Sequence, residues 1–375
     1  MNITDQEVLL VHEWVEQFGG AENVVDELIA TFPNSTLRCS WNDSTNRISV
    51  PVSESWLSKT PLRKNKALAL PALPFAHRRL KSDSQFIVCS SHLFAHHATA
   101  RRRDGSALPK FIYAHTPARY IWEPEIDERG KSAPVRLVAP FFRWLDRRRA
   151  KEATAIAANS YFVRERIQRT WQLESTVIYP PVDVSGAKSL TPPTAEEQAI
   201  LDSLPETYIL GASRFVPYKR VEVAIDAALA SGLPAVIAGD GPEYEHLKQR
   251  AESAQIAVQF IRSPSTNLLR HLYHGAAVFI FPPVEDFGIM PVEAMSMGTP
   301  VIANRVGGAS ETVLEEVSGV LLDRFDSASL KVAISKALTL DRDRVREHSQ
   351  KFSDTRFRSE IVSWISEHAD SKKMD

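Results

Sequence analysis

Short apolar runs recur along the chain, each followed by a turn signal and then by apolar positions at helical spacing. In the first half these runs fall at 7–11, 86–89, 111–114, 154–158 and 176–179. In the second half they fall at 208–211, 235–238, 258–261, 278–281, 300–303 and 320–322. Uninterrupted apolar character over four or five residues suits a strand buried on both faces, as in a parallel sheet. Helical patterns are expected at 21–32, 134–151, 161–171, 221–230, 268–274 and from 327. A last one lies within 352–370 and carries Ile361, Trp364 and Ile365 at core spacing. Strands alternating with helices predict an α/β chain with two Rossmann-like halves. The composition turns polar between 181 and 204, around Pro192-Pro193, and that stretch is expected to be the linker. The halves are then 1–180, completed by the terminal helix, and 205–350. Ligands of such sheets collect beyond the C-terminal ends of the strands. That rule brings Ser90-Ser91-His92 and His115-Thr116-Pro117 to the functional edge.

The densest stretch of chemistry runs from Phe279 to Gly308. Its opening strand is stopped by Pro282-Pro283, and a loop with Glu285, Asp286, Phe287 and Gly288 leads into a helix starting near Ile289. Gly298 closes that helix. The junction offers free backbone N–H groups of Gly288, Ile289 and Met290, with the positive end of a helix dipole behind them. Such a place holds an anion or the hydroxyls of a sugar. Glu285 and Glu293, eight residues apart on either side of the junction, can grip a polyol at two points. Spacing alone equally allows a solvated loop acid and an acid complementing a helix dipole.

Near the N-terminus, a strand, the turn Phe18-Gly19-Gly20 and a helix open the first half. Gly19 and Gly20 allow close approach of a ligand to a helix start, although tight turns need glycine for steric reasons alone. The pattern Gly-x-Gly-x-x-Gly is not completed, which argues against a nicotinamide dehydrogenase.

The string 279–308 closely resembles the Glu-(seven residues)-Glu signature of retaining, nucleotide-sugar-dependent glycosyltransferases of family 4. These have the GT-B fold, two Rossmann-like domains facing across a crevice, with a C-terminal helix crossing back to the N-terminal domain. The segment His115-Thr116-Pro117-Ala118-Arg119-Tyr120-Ile121-Trp122 resembles one in a mannosyltransferase-rich branch that includes O-antigen mannosyltransferases. The resemblance implies that His115 contacts the donor sugar and that Glu285 holds its hydroxyls. It implies that the backbone of Asp286, Phe287, Gly288, Ile289 and Met290 holds sugar and phosphate oxygens, and that Glu293 holds the ribose. Gly239-Asp240-Gly241 resembles the family's turn near the nucleotide. Phe260-Ile261-Arg262 stands where the family often has Phe-Leu-Gly, and this leaves the base open.

A nucleotide-sugar donor leaves as a diphosphate, so the site must stabilise growing negative charge. Arg214 and Lys219, matching the family's diphosphate-binding pair, suit this role as a bidentate fork and a point charge. Asp341 and Asp343 form the one Asp-x-Asp spacing and read as a charged helix surface, so no metal or other cofactor is expected. The expected reaction is retaining transfer of a hexose, best mannose from GDP-mannose, to a lipid-linked or polysaccharide acceptor. The alternatives are a UDP-sugar donor, a catalytically silent glycosyltransferase-like subunit and a nucleotide-sugar epimerase.

Composition adds limits. The 375 residues suit two domains, and Cys39 and Cys89 cannot build a disulfide framework. No run is apolar enough to span a bilayer, so a cytoplasmic protein is expected. The net charge of −1 conceals a first half (1–180) with 25 Lys and Arg against 19 Asp and Glu, and a remainder with 20 against 27. Basic clusters at 63–66, 78–81, 101–103 and 147–149 read as solvated faces, or as a contact with anionic lipid at the inner membrane surface. They lack the interleaved aromatics expected for nucleic acid.

Overall fold

The structure is a computed structural model that describes residues 2–123 and 133–371. The chain divides into two compact units, one of residues 1–181 with 354–375 and one of residues 182–353. The first unit contains β1 (Val8–His12), β2 (Ser35–Cys39), β3 (Val52–Glu54), β4 (Leu80–Lys81), β5 (Phe86–Ser91), β6 (Ala100–Arg101), β7 (Lys110–Ala114), β8 (Ala155–Ala158) and β9 (Thr176–Val177). Seven of these form a parallel sheet in the order β3-β2-β1-β5-β7-β8-β9, while β4 and β6 pair separately.

The continuous apolar runs have a plain cause. Side chains alternate across a strand, and both faces of this sheet are covered. Val8, Leu10, Val88, Phe111 and Tyr113 pack on one face, and Leu9, Val11, Ile87 and Ile112 on the other. The terminal helix Asp354–Ser371 belongs to this unit, placing Phe357, Ile361, Trp364 and Ile365 in the first of these cores. β3 is exposed at every position, so no apolar pattern marked it.

The second unit contains β10 (Ile209–Ala212), β11 (Ala235–Gly239), β12 (Val258–Arg262), β13 (Val278–Phe281), β14 (Val301–Asn304) and β15 (Gly319–Leu322). They form a parallel sheet in the order β12-β11-β10-β13-β14-β15. In each sheet the order reverses once, between β1 and β5 in the first unit and between β10 and β13 in the second.

The stretch expected to be a linker, 181–204, requires correction. From Val182 onward it is part of the second unit, tied by the Val182 N–H to the Phe352 carbonyl at 3.0 Å. It contains the helix Ala195–Asp202, started by a reciprocal capping box between Thr194 and Glu197. That helix buries no residue, so it carries no amphipathic signal.

Candidate active site

Each sheet sets its candidate chemistry beyond the strands that flank its order reversal, where open parallel sheets leave a crevice. In the second unit, a small crevice is lined by Ser213, Lys219, Val221, Phe281 and Pro282, from the ends of β10 and β13. Lys219 is nearly buried and forms an ion pair with Glu285. Arg214 is exposed; its guanidinium donates to the Tyr218 hydroxyl at 2.9 Å and has no carboxylate partner among the described residues. A cation left without an acid beside a strand end suits an incoming anion.

The loop carrying Glu285, Asp286 and Phe287 is held from behind. The Gly308 N–H donates to the Glu285 carbonyl at 2.7 Å. A Cβ at Gly308 would lie 2.2 Å from the Asp286 oxygen and 2.4 Å from the Phe287 Cα, so only glycine permits this approach. Gly307-Gly308 therefore buttresses the loop. Gly288, at φ +96°, is the N-cap of the helix Ile289–Ser296, so the N–H groups of Ile289 and Met290 open that helix as expected.

On the other side of β10, the turn after β11 is pinned to the turn after β10. The Phe215 N–H donates to the Asp240 carbonyl at 2.8 Å, and a Cβ on Gly239 would lie 1.8 Å from the Ser213 oxygen. Arg262 fixes the Asp240 carboxylate with bonds of 2.9, 3.0 and 3.2 Å and lies 4.4 Å over the Tyr244 ring. The Arg262 hydrogen bond leads the causes that hold the Asp240 carboxyl below its ordinary range. The departure from Phe-Leu-Gly at 260–262 thus places a guanidinium at the end of β12.

Glu293 follows one turn into the helix Ile289–Ser296 and is half-buried. Burial pushes its carboxyl up to about 7, opposed by Arg270 and assisted by Asp183. Asp341 of the Asp-x-Asp pair caps the helix Arg342–Ser349 by accepting from the Asp343 and Arg344 N–H groups, which accounts for that spacing structurally.

In the first unit, His115 follows β7 and its Nε2 lies 2.8 Å from the Ser90 hydroxyl. Its ring stands 6.5 Å from that of His12 and 6.4 Å from that of His92. Gly19 and Gly20 open the helix Gly20–Thr31, but the buried Glu22 carboxylate folds back over this turn and accepts from the Glu16 N–H at 3.2 Å. An acid already at the helix start disfavours phosphate there and leaves hydroxyls as the better guests.

Two acid–histidine groups bring potential metal ligands within 4.8 Å, His12, Glu13 and His92, and His96, His97 and Asp146. In the first, the His12 Nδ1 is engaged with the Ser90 carbonyl at 2.9 Å, which requires a proton on that nitrogen. In the second, Asp146 Oδ2 accepts from the Trp122 and Trp171 indoles at 2.7 and 2.6 Å, while Oδ1 lies between the two imidazoles. The second group is a buried polar cluster, and the first is a partly exposed one in which Glu13 Oε1 is tied to the loop after β5. Burial holds His97 down to about 4, against the pull of Asp146, so it is neutral at pH 7. Glu13 gave no signal beyond being one acid after a strand.

Residues 18–185 match the family described as Glycosyltransferase Family 4, and residues 194–354 that described as Glycosyl transferases group 1. The GDP-mannose-dependent alpha-(1-6)-phosphatidylinositol monomannoside mannosyltransferase of Mycolicibacterium smegmatis is 30% identical over 281 residues, covering 62% of this chain and 72% of that protein. The chain belongs to glycosyltransferase family 4. An alpha-1,3/1,6-mannosyltransferase of Neurospora crassa is 28% identical over 279 residues, 61% of this chain and 56% of that protein. The human alpha-1,3/1,6-mannosyltransferase is 25% identical over 259 residues, 59% of this chain and 60% of that protein. The chain therefore spans less than two thirds of the length of these two relatives. Among solved structures, Anabaena HepE in complex with UDP superposes with a TM-score of 0.69 at 18% identity, covering 96% of this chain and all of that one. Sucrose-phosphate synthase from Thermosynechococcus elongatus superposes at 0.70 and 18% identity, covering 98% and 100%. These likenesses give the family 4 chain the GT-B fold.

The raised Glu293 carboxyl gives this family 4 protein a pH signature. In the unfolded chain the group ionises near 4.5, whereas in the fold it stays protonated up to about 7. The unfavourable contribution is absent below 4.5, grows between those values and is complete above 7. Glu293→Gln should therefore raise stability at pH 8 by roughly 1–3 kcal/mol and leave it nearly unchanged at pH 4.5. Urea unfolding of the wild type and variant at the two pH values checks this; an equal effect at both contradicts it.

Proposed function

We propose that the protein is a retaining, metal-independent hexosyltransferase that moves mannose from GDP-mannose to a glycan or lipid-linked acceptor. The observation that carries this reading is the set at the β10–β13 reversal. Arg214 is unpaired with any described acid, Lys219 is paired with Glu285, and Glu293 lies one turn into the helix that follows. The mannosyltransferase names of the relatives support mannose as the transferred sugar.

In this reading the donor diphosphate takes Arg214 and Lys219, and the Lys219–Glu285 pair opens so that Glu285 receives sugar hydroxyls. Fixed cations then stabilise the charge that grows on the leaving oxygen. Such electrostatic stabilisation, with positioning, accounts for most of the rate, and no residue need act as a dedicated base. Glu293 takes the ribose hydroxyls. A carboxylate accepts both hydroxyl protons only when ionised, so donor affinity should rise with pH through about 7. A second reading, a UDP-sugar donor, draws on the Anabaena neighbour's complex with UDP, while Arg262 in place of the family's usual glycine leaves the base open to either.

Calorimetry without divalent metal, comparing GDP-mannose, UDP-glucose, GDP and UDP, tests the proposal. The guanine pair should bind more tightly, and Glu293→Ala should weaken it by about tenfold or more, or about 1.4 kcal/mol. Preference for the uracil pair would overturn the mannose assignment. Binding of none of the four by folded protein would overturn the donor site.

Contact with an anionic membrane forms part of the same proposal. Among the described residues no helix is long and apolar enough to cross a membrane. The helix Ala133–Ala150 exposes Phe141 and Trp144, with the Arg148 guanidinium 5.4 Å over the Trp144 ring. Aromatic rings beside arginines suit an interfacial lipid surface. Co-sedimentation with phosphatidylserine vesicles at low salt is expected, weakened by Trp144→Ala. Its absence at low salt would refute the contact.

A further inference from the structure

The first unit carries its own set of groups at its own strand-order reversal, separate from Arg214, Lys219, Glu285 and Glu293 and 6.4 Å, ring to ring, from His115. β1 ends at His12 and β5 at Ser91, and the two strands are paired neighbours with His12 opposite Ser90. Glu13 and His92 lie immediately beyond these ends, at the position where open parallel sheets receive ligands.

Glu13 is 1% exposed and strongly polarised between its two oxygens. Its Oε1 accepts from the Ser91 hydroxyl at 3.0 Å and from the N–H groups of His92, Leu93 and Ala95 at 3.1, 2.8 and 2.9 Å. Burial favours the neutral acid, but the positive charge that the His92 and His12 imidazoles would carry in acid, together with these N–H groups, outweighs it and holds the carboxyl below its ordinary range. Glu13 is thus a fixed, buried anion. Among the described residues its Oε2 has no hydrogen-bond partner, and it lies 3.2 Å from the His92 Nδ1 and 3.7 Å from the His12 Nδ1. The His12 nitrogen is already committed to Ser90, so His92 is the partner left for Oε2.

The His92 ring stands edge-on to Trp14, with centroids 5.1 Å apart, and its Nδ1 is buried on the Glu13 side. The side chain is nonetheless a quarter exposed. The Nδ1 edge of the imidazole therefore lies against the carboxylate, while the ring keeps part of its surface exposed. A small turn of the ring directs Nδ1–H onto Oε2 and leaves Nε2 as an acceptor.

We propose that Glu13 and His92 form a hydroxyl-binding site for the acceptor, in which His92 Nε2 accepts a hydrogen bond from a hydroxyl of an uncharged sugar or polyol ring. The inference rests on the glycosyltransferase reading and names the class of acceptor group that enters the first unit. Burial, the foremost influence, keeps His92 neutral, with Glu13 and Glu22 opposing it and His12 and Lys66 assisting. Lys66 is itself paired with Glu16. With Glu13 and Glu22 both buried at this edge, the site discriminates against a phosphate and admits a neutral hydroxyl. Glu13 acts through His92 and is a positioning residue.

The test is histidine-selective NMR of the full chain, with the His92 signals assigned by their loss in His92→Gln. Titration with methyl α-D-mannopyranoside, up to about 100 mM to reach weak millimolar affinities, should shift His92 and leave His348 in place. The Nε2 of His92 should show the shift of an unprotonated nitrogen, and Glu13→Gln should mix the tautomers and weaken saccharide binding by about tenfold or more. If Glu13→Gln fails to fold, His92→Gln, at a partly exposed position, should abolish the saccharide response by itself, monitored through His115. A His92 signal that is unmoved by the saccharide, or that moves with inorganic phosphate instead, overturns the proposal. Nucleotide-sugar binding separates the two levels. Donor binding without a saccharide response sinks this site alone, whereas a saccharide response without donor binding sinks the glycosyltransferase reading.

Discussion

A parallel sheet forces every connection back across its face, so every strand delivers its following loop to the same edge. Where the strand order reverses, neighbouring loops diverge and leave a gap. The whole arrangement depends on that constraint, applied once in each unit. β10 and β13 bring Arg214, Lys219 and Glu285 to one gap, although 66 residues separate the paired lysine and glutamate. β1 and β5 bring Glu13 and His92 to another, 79 residues apart. The loops that carry them are pinned by close backbone contacts, so position comes from the sheets rather than from the loops themselves.

The electrostatics of the two gaps differ in kind. The second unit offers an exposed arginine and a lysine whose partner acid can be exchanged for ligand oxygens, an arrangement that suits negative charge. The first unit holds buried carboxylates beside the neutral His92 imidazole, which suit hydroxyls. The proposed division between a nucleotide-sugar donor in the second unit and a hydroxyl-bearing acceptor in the first rests on this difference in residue types on one topology.

Much of the architecture was legible because both faces of each sheet are buried, leaving apolar runs such as Val8–His12 and Val278–Phe281 with little polar interruption. β3 was not legible, since an edge strand exposed at every position carries no burial pattern. The helix Ala195–Asp202 was lost in an expected linker for a related reason, as it buries nothing; its Thr194-x-x-Glu197 box was the available signal. In the candidate site, Arg214, Lys219 and Glu285, near strand-to-helix turns, and Glu293, in the helix that follows, stood out because they match the family's signature residues. The sheet-edge rule also brought His92 to the functional edge. Glu13 did not stand out. Its importance lies in four hydrogen bonds to one oxygen from residues 78 to 82 positions away, which no local pattern records. Gly307-Gly308 closes the 279–308 stretch, but its task of supporting the Glu285 loop follows only from the close backbone approach.

The central claim is that the gap between β10 and β13 receives the nucleotide sugar. Hydrogen–deuterium exchange of the full chain with and without GDP-mannose addresses it directly, because bound oxygens would cover the N–H groups that open the helix Ile289–Ser296. The account predicts slowed exchange in the segments 213–219 and 285–293, with little change at the outer strands β12 and β15. Protection confined to other segments, with these two unchanged under saturating ligand, would contradict it.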